Sequence, residues 1–213
     1  MWVKICGFTN LENALEVASL GIHAIGLNFY GKSPRCTNIQ TAKAIFDQLP
    51  KNVEPIGLFV NESVASVRDI CSQTGLRTIQ LHGDETIGDV QTLANNFEVI
   101  RAFRVDESGL EEVATTLNSL AEMDVKLKAC LIDARMAGQY GGSGHTAPWE
   151  LLSRDYQFEN WPLLVLAGGI TPLNAGDAVK AVQPWGIDTA SGVEYEPGIK
   201  APNLVNELLE SLR

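Results

Sequence analysis

Apolar residues follow two different spacings that alternate along the chain. Short apolar runs are separated by segments such as the one containing Leu11, Ala14, Leu15 and Ala18. A spacing of three and four residues places side chains on one face of a helix, whereas a short apolar run is typical of a buried strand. The pattern predicts eight strands, each followed by a helix, with the strands at residues 2–5, 24–29, 55–60, 78–81, 99–104, 129–133, 163–166 and 186–190.

Eight alternating units indicate an α/β fold built as a (β/α)8 TIM barrel. Alternating strands and helices pair in parallel through right-handed crossovers, and 213 residues are enough for eight such units. An open doubly wound sheet is the alternative. We favour the barrel because the polar and glycine-rich motifs follow the carboxyl ends of predicted strands, where barrel enzymes place their chemistry. No linker interrupts the series, so residues 1–213 are predicted to form a single catalytic domain.

Three of the predicted helices carry local start signals. Thr9 with Glu12, and Ser108 with Glu111, have the spacing of capping boxes. Thr171 precedes a proline, which suits an N-cap followed by the first helical position. These signals predict that the helices begin directly after Thr9, Ser108 and Thr171.

Composition narrows the classes of partner. The formal net charge of −10 would repel a polyanion, so we expect no nucleic acid partner. A small phosphorylated molecule is compatible, because a few backbone amides and one arginine can hold a phosphate locally. No apolar stretch approaches the ~20 residues of a membrane span, so we expect a cytoplasmic protein with no membrane partner.

The cysteines show no pattern of a metal site or a redox pair. They form no C-x-x-C pair and have no histidine nearby at metal-ligand spacing. The sequence therefore predicts no metal and free thiols at Cys6, Cys36, Cys71 and Cys130.

Two residues at predicted strand ends suit acid–base chemistry. Cys6 ends the first strand, and a thiol near the N-terminus of the helix after Thr9 can have a lowered pKa. Asp133 ends the sixth strand after an apolar run, where partial desolvation suits a general acid. In a barrel the two side chains would face each other across the mouth. The alternatives are a buried structural thiol and a carboxylate that organises a loop.

Glycine-rich segments follow three of the predicted strands. Residues 166–172 and 188–194 come after strands seven and eight, whose loops form the usual phosphate site of barrel enzymes. Simple tight turns are the alternative. Residues 140–145, after the sixth strand, could close over a ligand or serve as a flexible connector.

Three further polar residues could line the same mouth. Arg35 follows the second strand and could hold a carboxylate in bidentate fashion, or lie on the surface. Gln80 and His82 point to the same side of the fourth strand. They could contact a ligand together, or His82 could complete a turn with the following glycine.

The order and spacing of six segments resemble the phosphoribosylanthranilate isomerase family of tryptophan biosynthesis. The resemblance covers essentially the whole chain. It implies a metal-free and cofactor-free Amadori rearrangement of N-(5-phosphoribosyl)anthranilate to 1-(2-carboxyphenylamino)-1-deoxyribulose 5-phosphate. The sequence leaves open whether the chain is a monomer or a homodimer. The segments are residues 3–7, 57–61, 79–83, 132–134 with 140–144, 166–170 and 190–194.

The resemblance also implies residue roles. Asp133 would protonate the furanose ring oxygen and open the ring to a Schiff base, and Cys6 would remove the proton at C2. Arg35 would pair with the anthranilate carboxylate. Further substrate contacts are implied for His82 and Asp188, and phosphate contacts for the amides around Gly168, Gly169, Ser191 and Gly192. With them we predict a substrate contact at Gln80, which shares its side of the strand with His82, and a phosphate contact at Gly142 in the glycine-rich loop after the sixth strand.

Two other enzymes and one binding protein are competing interpretations. A histidine-pathway isomerase resembles a barrel with Asp at both catalytic strand ends, and a ribulose-phosphate epimerase needs His and Asp metal ligands. Cys6 and the absence of a ligand cluster argue against both. A barrel that only binds a phosphorylated ligand would lack the acid or the base, and both Cys6 and Asp133 are present.

Overall fold

Eight parallel strands form a closed barrel, in which each strand pairs with the next and the eighth pairs with the first. This closed barrel confirms the predicted (β/α)8 fold. The computed structural model describes residues 1–106, 108–134 and 147–213. Its strands are β1 (Trp2–Cys6), β2 (Ala24–Asn28), β3 (Glu54–Phe59), β4 (Thr78–Leu81), β5 (Glu98–Val105), β6 (Ala129–Ala134), β7 (Leu163–Ala167) and β8 (Gly186–Thr189).

A helix follows every barrel strand, as the apolar spacing predicted. One element was not expected: an antiparallel hairpin of β9 (Glu194–Glu196) and β10 (Ile199–Lys200) precedes the last helix. No helix among the described residues is long and apolar enough to cross a membrane. The helices are α1 (Leu11–Ala18), α2 (Ile39–Gln48), α3 (Val64–Thr74), α4 (Ile87–Ala94), α5 (Glu111–Glu122), α6 (Ala147–Asp155), α7 (Ala175–Val182) and α8 (Pro202–Ser211).

Alternation along the strands divides the core into two parts. One set of side chains packs between the strands and the helices, and the other fills the barrel interior. Leu131 and Ala129 belong to the interior set, so Asp133 on the same strand also points inward. The interior cluster is Ala24, Ile56, Ile100, Ala102, Ala129, Leu131, Val165 and Ala167.

Polar and aromatic groups close the amino-terminal end of the barrel. Trp2 stacks on Trp185 with ring centroids 4.9 Å apart. The Lys128 ammonium bridges Glu54 and Glu98, with Nζ lying 2.6 Å from Oε2 of Glu98. These contacts fill the end opposite the mouth, which leaves the carboxyl end for ligand entry.

The start of α1 differs from its prediction. Asn10 is the N-cap, and its Oδ1 accepts from the backbone N–H of Asn13 at 2.9 Å. The Thr9 hydroxyl instead donates to the carbonyl of Gly198 at 3.1 Å, in the turn between β9 and β10. The predicted capping box is wrong because a distant segment takes the threonine side chain.

The other two predicted helix starts are also wrong. Helix α5 begins only at Glu111, and its N-cap residue Leu110 makes no side-chain capping bond. Before α7, the side chain of Asn174 accepts from the backbone N–H of Thr171 at 2.8 Å. That bond forms a turn over residues 171–174, so the helix begins at Ala175 rather than beside Pro172.

Replacing Leu208 by Ala should lower the free energy of unfolding by about 2–5 kcal/mol. Leu208 on α8 is fully buried, so truncation leaves a cavity. The matched control is Leu173→Ala, since Leu173 is 94% exposed and should change stability by less than about 0.5 kcal/mol. Urea denaturation of both variants measures the difference, and equal losses would contradict this packing.

Candidate active site

Cys6 lies at the carboxyl end of β1 and is only 6% exposed. Its Cα partner on β2 is Gly26. A Cβ atom on Gly26 would lie 2.5 Å from the Cys6 Sγ, so a side chain there would displace the sulfur. The glycine therefore provides the space in which the thiol sits at the mouth.

Lys4 and Asp188 form a buried ion pair below this thiol. They are Cα partners across the β1–β8 seam, and Lys4 Nζ donates to both carboxylate oxygens of Asp188 at 3.1 Å. Burial acts to lower the pKa of Lys4, but the charges of Asp188 and Cys6 outweigh it and raise that pKa. Burial raises the pKa of Asp188, and Lys4 opposes the rise. Asp188, predicted as a substrate contact, thus has a partner within the chain.

The environment of Cys6 raises the pKa of its thiol. Burial is the main cause, Asp188 adds to it, and the charges of Lys4 and Lys200 oppose it. The sequence had suggested a pKa lowered by the helix after Thr9. That expectation is wrong in direction, because burial of the thiol dominates and the groups that favour the thiolate are lysines.

A second set of charged side chains lies beside the carboxyl end of β1. Arg35 holds Glu194 in bidentate fashion, with Nε 2.9 Å from Oε1 and Nη2 2.6 Å from Oε2. Fully buried Lys200 donates to Glu194 Oε1 at 2.6 Å and also to the backbone carbonyl of Cys6. Burial acts to raise the pKa of Glu194, but the hydrogen bonds from Arg35 and Lys200 lower it. Arg35 does bind a carboxylate, but it is one of the chain's own.

His82 links the fourth strand to Asp133. Its Nδ1 lies 3.0 Å from Nε2 of Gln80, and its Nε2 lies 3.6 Å from Oδ2 of Asp133. Gln80 and Asp133 are buried, and the histidine side chain is one-fifth exposed. The structure therefore brings three of the predicted residues together at the mouth.

A buried ion pair supports the loop that carries His82. The Arg101 guanidinium pairs with the carboxylate of Glu85 and donates to the carbonyl of Leu81 at 3.2 Å. Glu85 Oε1 also accepts backbone N–H bonds from Gly83 at 3.1 Å and Asn61 at 2.9 Å. One carboxylate thus holds the loops after β3 and β4 against β5.

The predicted phosphate loops lie side by side. Gly168 and Gly169 follow β7 with φ of 89° and 67°, a left-handed backbone that favours glycine. The Thr189 hydroxyl donates to the carbonyl of Ile170 at 2.6 Å and so ties the loop after β7 to the end of β8. Ser191 and Gly192 lie in the short 3-10 helix Ser191–Val193 that follows. Gly142 and the rest of the loop at 137–146 lie outside the described residues.

Sequence reasoning missed several residues that position the site. A lysine at an inward strand position was the available signal for Lys4, and a glycine inside a strand was the signal for Gly26. The missed residues are Lys4, Gly26, Glu85, Arg101, Glu194 and Lys200.

No group of three or more His, Cys, Asp and Glu side chains in the described part of the chain could hold a metal ion.

Replacing Arg101 by Met should lower the free energy of unfolding by about 3–5 kcal/mol, because it leaves Glu85 buried without its ion partner. The control is Lys43→Met, which breaks an exposed pair with Asp47 and should cost less than about 0.5 kcal/mol. Chemical denaturation measures both changes. A similar small loss in the two variants would show that the buried pair is not needed.

Comparisons with known proteins point to one family. The family model described as N-(5'-phosphoribosyl)anthranilate (PRA) isomerase matches residues 3–211. The N-(5'-phosphoribosyl)anthranilate isomerase of Chlorobium phaeovibrioides is 39% identical, over 99% of this chain and 96% of its own length. The crystal structure of phosphoribosyl anthranilate isomerase from Thermotoga maritima superposes with a TM-score of 0.86 at 35% identity, over 100% of this chain and 98% of that one.

A further similar structure contains a bound molecule. It is a phosphoribosyl anthranilate isomerase in complex with reduced 1-(o-carboxyphenylamino)-1-deoxyribulose 5-phosphate, and it superposes with a TM-score of 0.84 at 32% identity, over 100% of this chain and 98% of that one. Fold, sequence and family model agree over nearly the whole chain. The chain belongs to the N-(5'-phosphoribosyl)anthranilate isomerase family.

Proposed function

We propose that residues 1–213 act as one catalytic barrel that isomerises N-(5-phosphoribosyl)anthranilate to 1-(2-carboxyphenylamino)-1-deoxyribulose 5-phosphate, with Asp133 as the acid and Cys6 as the base. The observation that carries the assignment is their placement. Both side chains point inward at the carboxyl ends of β1 and β6, in the same barrel mouth. A small substrate can therefore meet an acid and a base from different sides.

The first step is opening of the ring. Asp133 donates its proton to the furanose ring oxygen as the bond from that oxygen to C1 breaks. The nitrogen lone pair then forms a protonated Schiff base at C1. His82 can stabilise the resulting carboxylate, because its Nε2 lies 3.6 Å from Oδ2 of Asp133.

The second step is proton removal at C2. The Schiff base draws electrons from the C2–H bond, so the Cys6 thiolate can take that proton and form a thiol. The electron pair becomes the C1–C2 double bond of an enolamine. The enol then loses its hydroxyl proton as C1 gains one, which gives the ketone. Return of the thiol proton to Asp133 through solvent completes the cycle.

The remaining predicted residues hold the substrate. Glu194 occupies Nε and Nη2 of Arg35, so we assign Nη1 to the anthranilate carboxylate. Gln80 on β4 and His82 directly after it contact the sugar. Asp188 contacts the substrate from β8 while it remains paired with Lys4. We assign the phosphate to the amides around Gly142, Gly168, Gly169, Ser191 and Gly192.

Oligomeric state and location stay predictions. One similar structure is described as mutually generated monomers of a dimeric enzyme from Thermotoga maritima, at 31% identity and a TM-score of 0.81, covering 100% of this chain and 98% of that chain. For this chain we propose a monomer or a homodimer in the cytoplasm.

Cys6→Ser and Asp133→Asn should each lower kcat by about 100- to 10,000-fold, the usual contribution of a general acid or base. Loss of phosphoribosylanthranilate fluorescence measures turnover directly. Cys71→Ser and Asp47→Asn are matched controls, because Cys71 lies on α3 and Asp47 on the exposed side of α2. Near wild-type turnover in both site variants would refute the mechanism.

A further inference from the structure

Lys4 has no place in the mechanism above, yet it is a fully buried ammonium. It lies two residues before Cys6 on β1, so both side chains point to the same side of the strand. Its Nζ donates to both oxygens of Asp188 at 3.1 Å, and its charge acts on the thiol of Cys6. A buried charge with two such contacts is oriented as well as compensated.

With His82 left aside, the charged groups around Cys6 leave one positive charge in excess while the thiol is protonated. Deprotonation of the thiol would balance that charge. Because Cys6 and Lys4 are buried, this balance favours the thiolate more strongly than it would at the surface. The groups are the cations Lys4, Lys200 and Arg35 and the carboxylates Asp188 and Glu194, with His82 acting on Asp188 from the end of β4.

The three cations differ in what they touch. Lys200 donates to the backbone carbonyl of Cys6 and to Glu194, and Arg35 donates to Glu194. Of the three, Lys4 is the one on the same strand as Cys6, two residues away and with its buried side chain on the same side of that strand. Asp188 fixes the Lys4 ammonium from the neighbouring strand, where the two residues are Cα partners.

We propose that Lys4, anchored by Asp188, stabilises the thiolate of Cys6 and so sets the pH at which the base becomes active. Lys4 is a positioning residue, since it acts through Cys6 and keeps its own proton. When the thiolate takes the proton at C2, Lys4 retains its bond to Asp188. This inference rests on the proposed role of Cys6 as the base.

The test is a titration of the Cys6 thiolate in the free protein by its ultraviolet absorbance, with the Cys6→Ser signal subtracted. In Lys4→Met the titration should move up by about 1–3 pH units, because an opposite charge close to the thiol is lost. In Asp188→Asn it should move down, because a negative charge is lost. In Lys4→Met the acidic limb of the pH profile of kcat/KM should move up by the same amount as the thiol titration.

The two variants break the same ion pair, which separates the proposal from a purely structural role. Damage to packing would shift both titrations in the same direction. Shifts in the same direction, or an unchanged titration in Lys4→Met, would overturn the proposal. Lys4→Arg keeps the charge, so its thiol should titrate closer to the wild-type pH than the thiol of Lys4→Met does.

A double variant covers the case in which Lys4→Met does not fold. Lys4→Met with Asp188→Asn leaves no unpaired buried charge from this pair, and it should titrate at higher pH than Asp188→Asn alone. An equal or lower titration would overturn the proposal. Absence of phosphoribosylanthranilate turnover by the wild type would refute the proposed function instead, and it would leave these titrations interpretable.

Discussion

Pairing of β8 with β1 closes the barrel, and the charged groups around Cys6 depend on that seam. The seam joins the two ends of the chain, with Trp2 opposite Gly186 and Lys4 opposite Asp188. A Cβ atom on Gly186 would lie 2.7 Å from the Trp2 ring, so glycine allows the tryptophan to cross the seam. Closure also brings the loop after β8 to the end of β1, where Cys6 lies.

The seam carries charge into the barrel, which is costly unless each charge is compensated. Replacing a buried ion pair by apolar side chains is often neutral or stabilising, so such pairs are weak evidence for stability. Here the pairs lie next to the residues to which we assign the chemistry. Lys4 and Asp188 lie below Cys6, and Glu85 with Arg101 supports the loop of His82. Their position lets them orient the groups at the mouth of the barrel.

The hairpin of β9 and β10 fastens the outer side of the mouth. Lys200 on β10 binds the carbonyl of Cys6, while Glu194 on β9 binds Arg35 from the loop after β2. The Thr9 hydroxyl donates to the carbonyl of Gly198 in the turn between them. Two segments far apart in sequence, the loop after β2 and the hairpin, are thus held to the end of β1. Support of this kind keeps the groups of a site in a fixed geometry.

Much of the fold could be predicted because the signals are local. Apolar spacing depends only on neighbouring residues, and it located all eight strands to within one or two residues. The positions of Cys6 and Asp133 at strand ends followed from the same pattern. The helix starts at Thr9, Ser108 and Thr171 could not be read in this way, since Thr9 has its partner 189 positions away in sequence.

The sequence by itself therefore determined the order of strands and helices and the chemical types of residue at the strand ends. The tertiary structure alone decided which charges meet. Lys4 and Asp188 are 184 positions apart, and Arg35 and Glu194 are 159 apart, so neither pair has a local signal. Such pairs form only when the barrel closes, because closure alone brings the first and last strands into hydrogen-bonding distance.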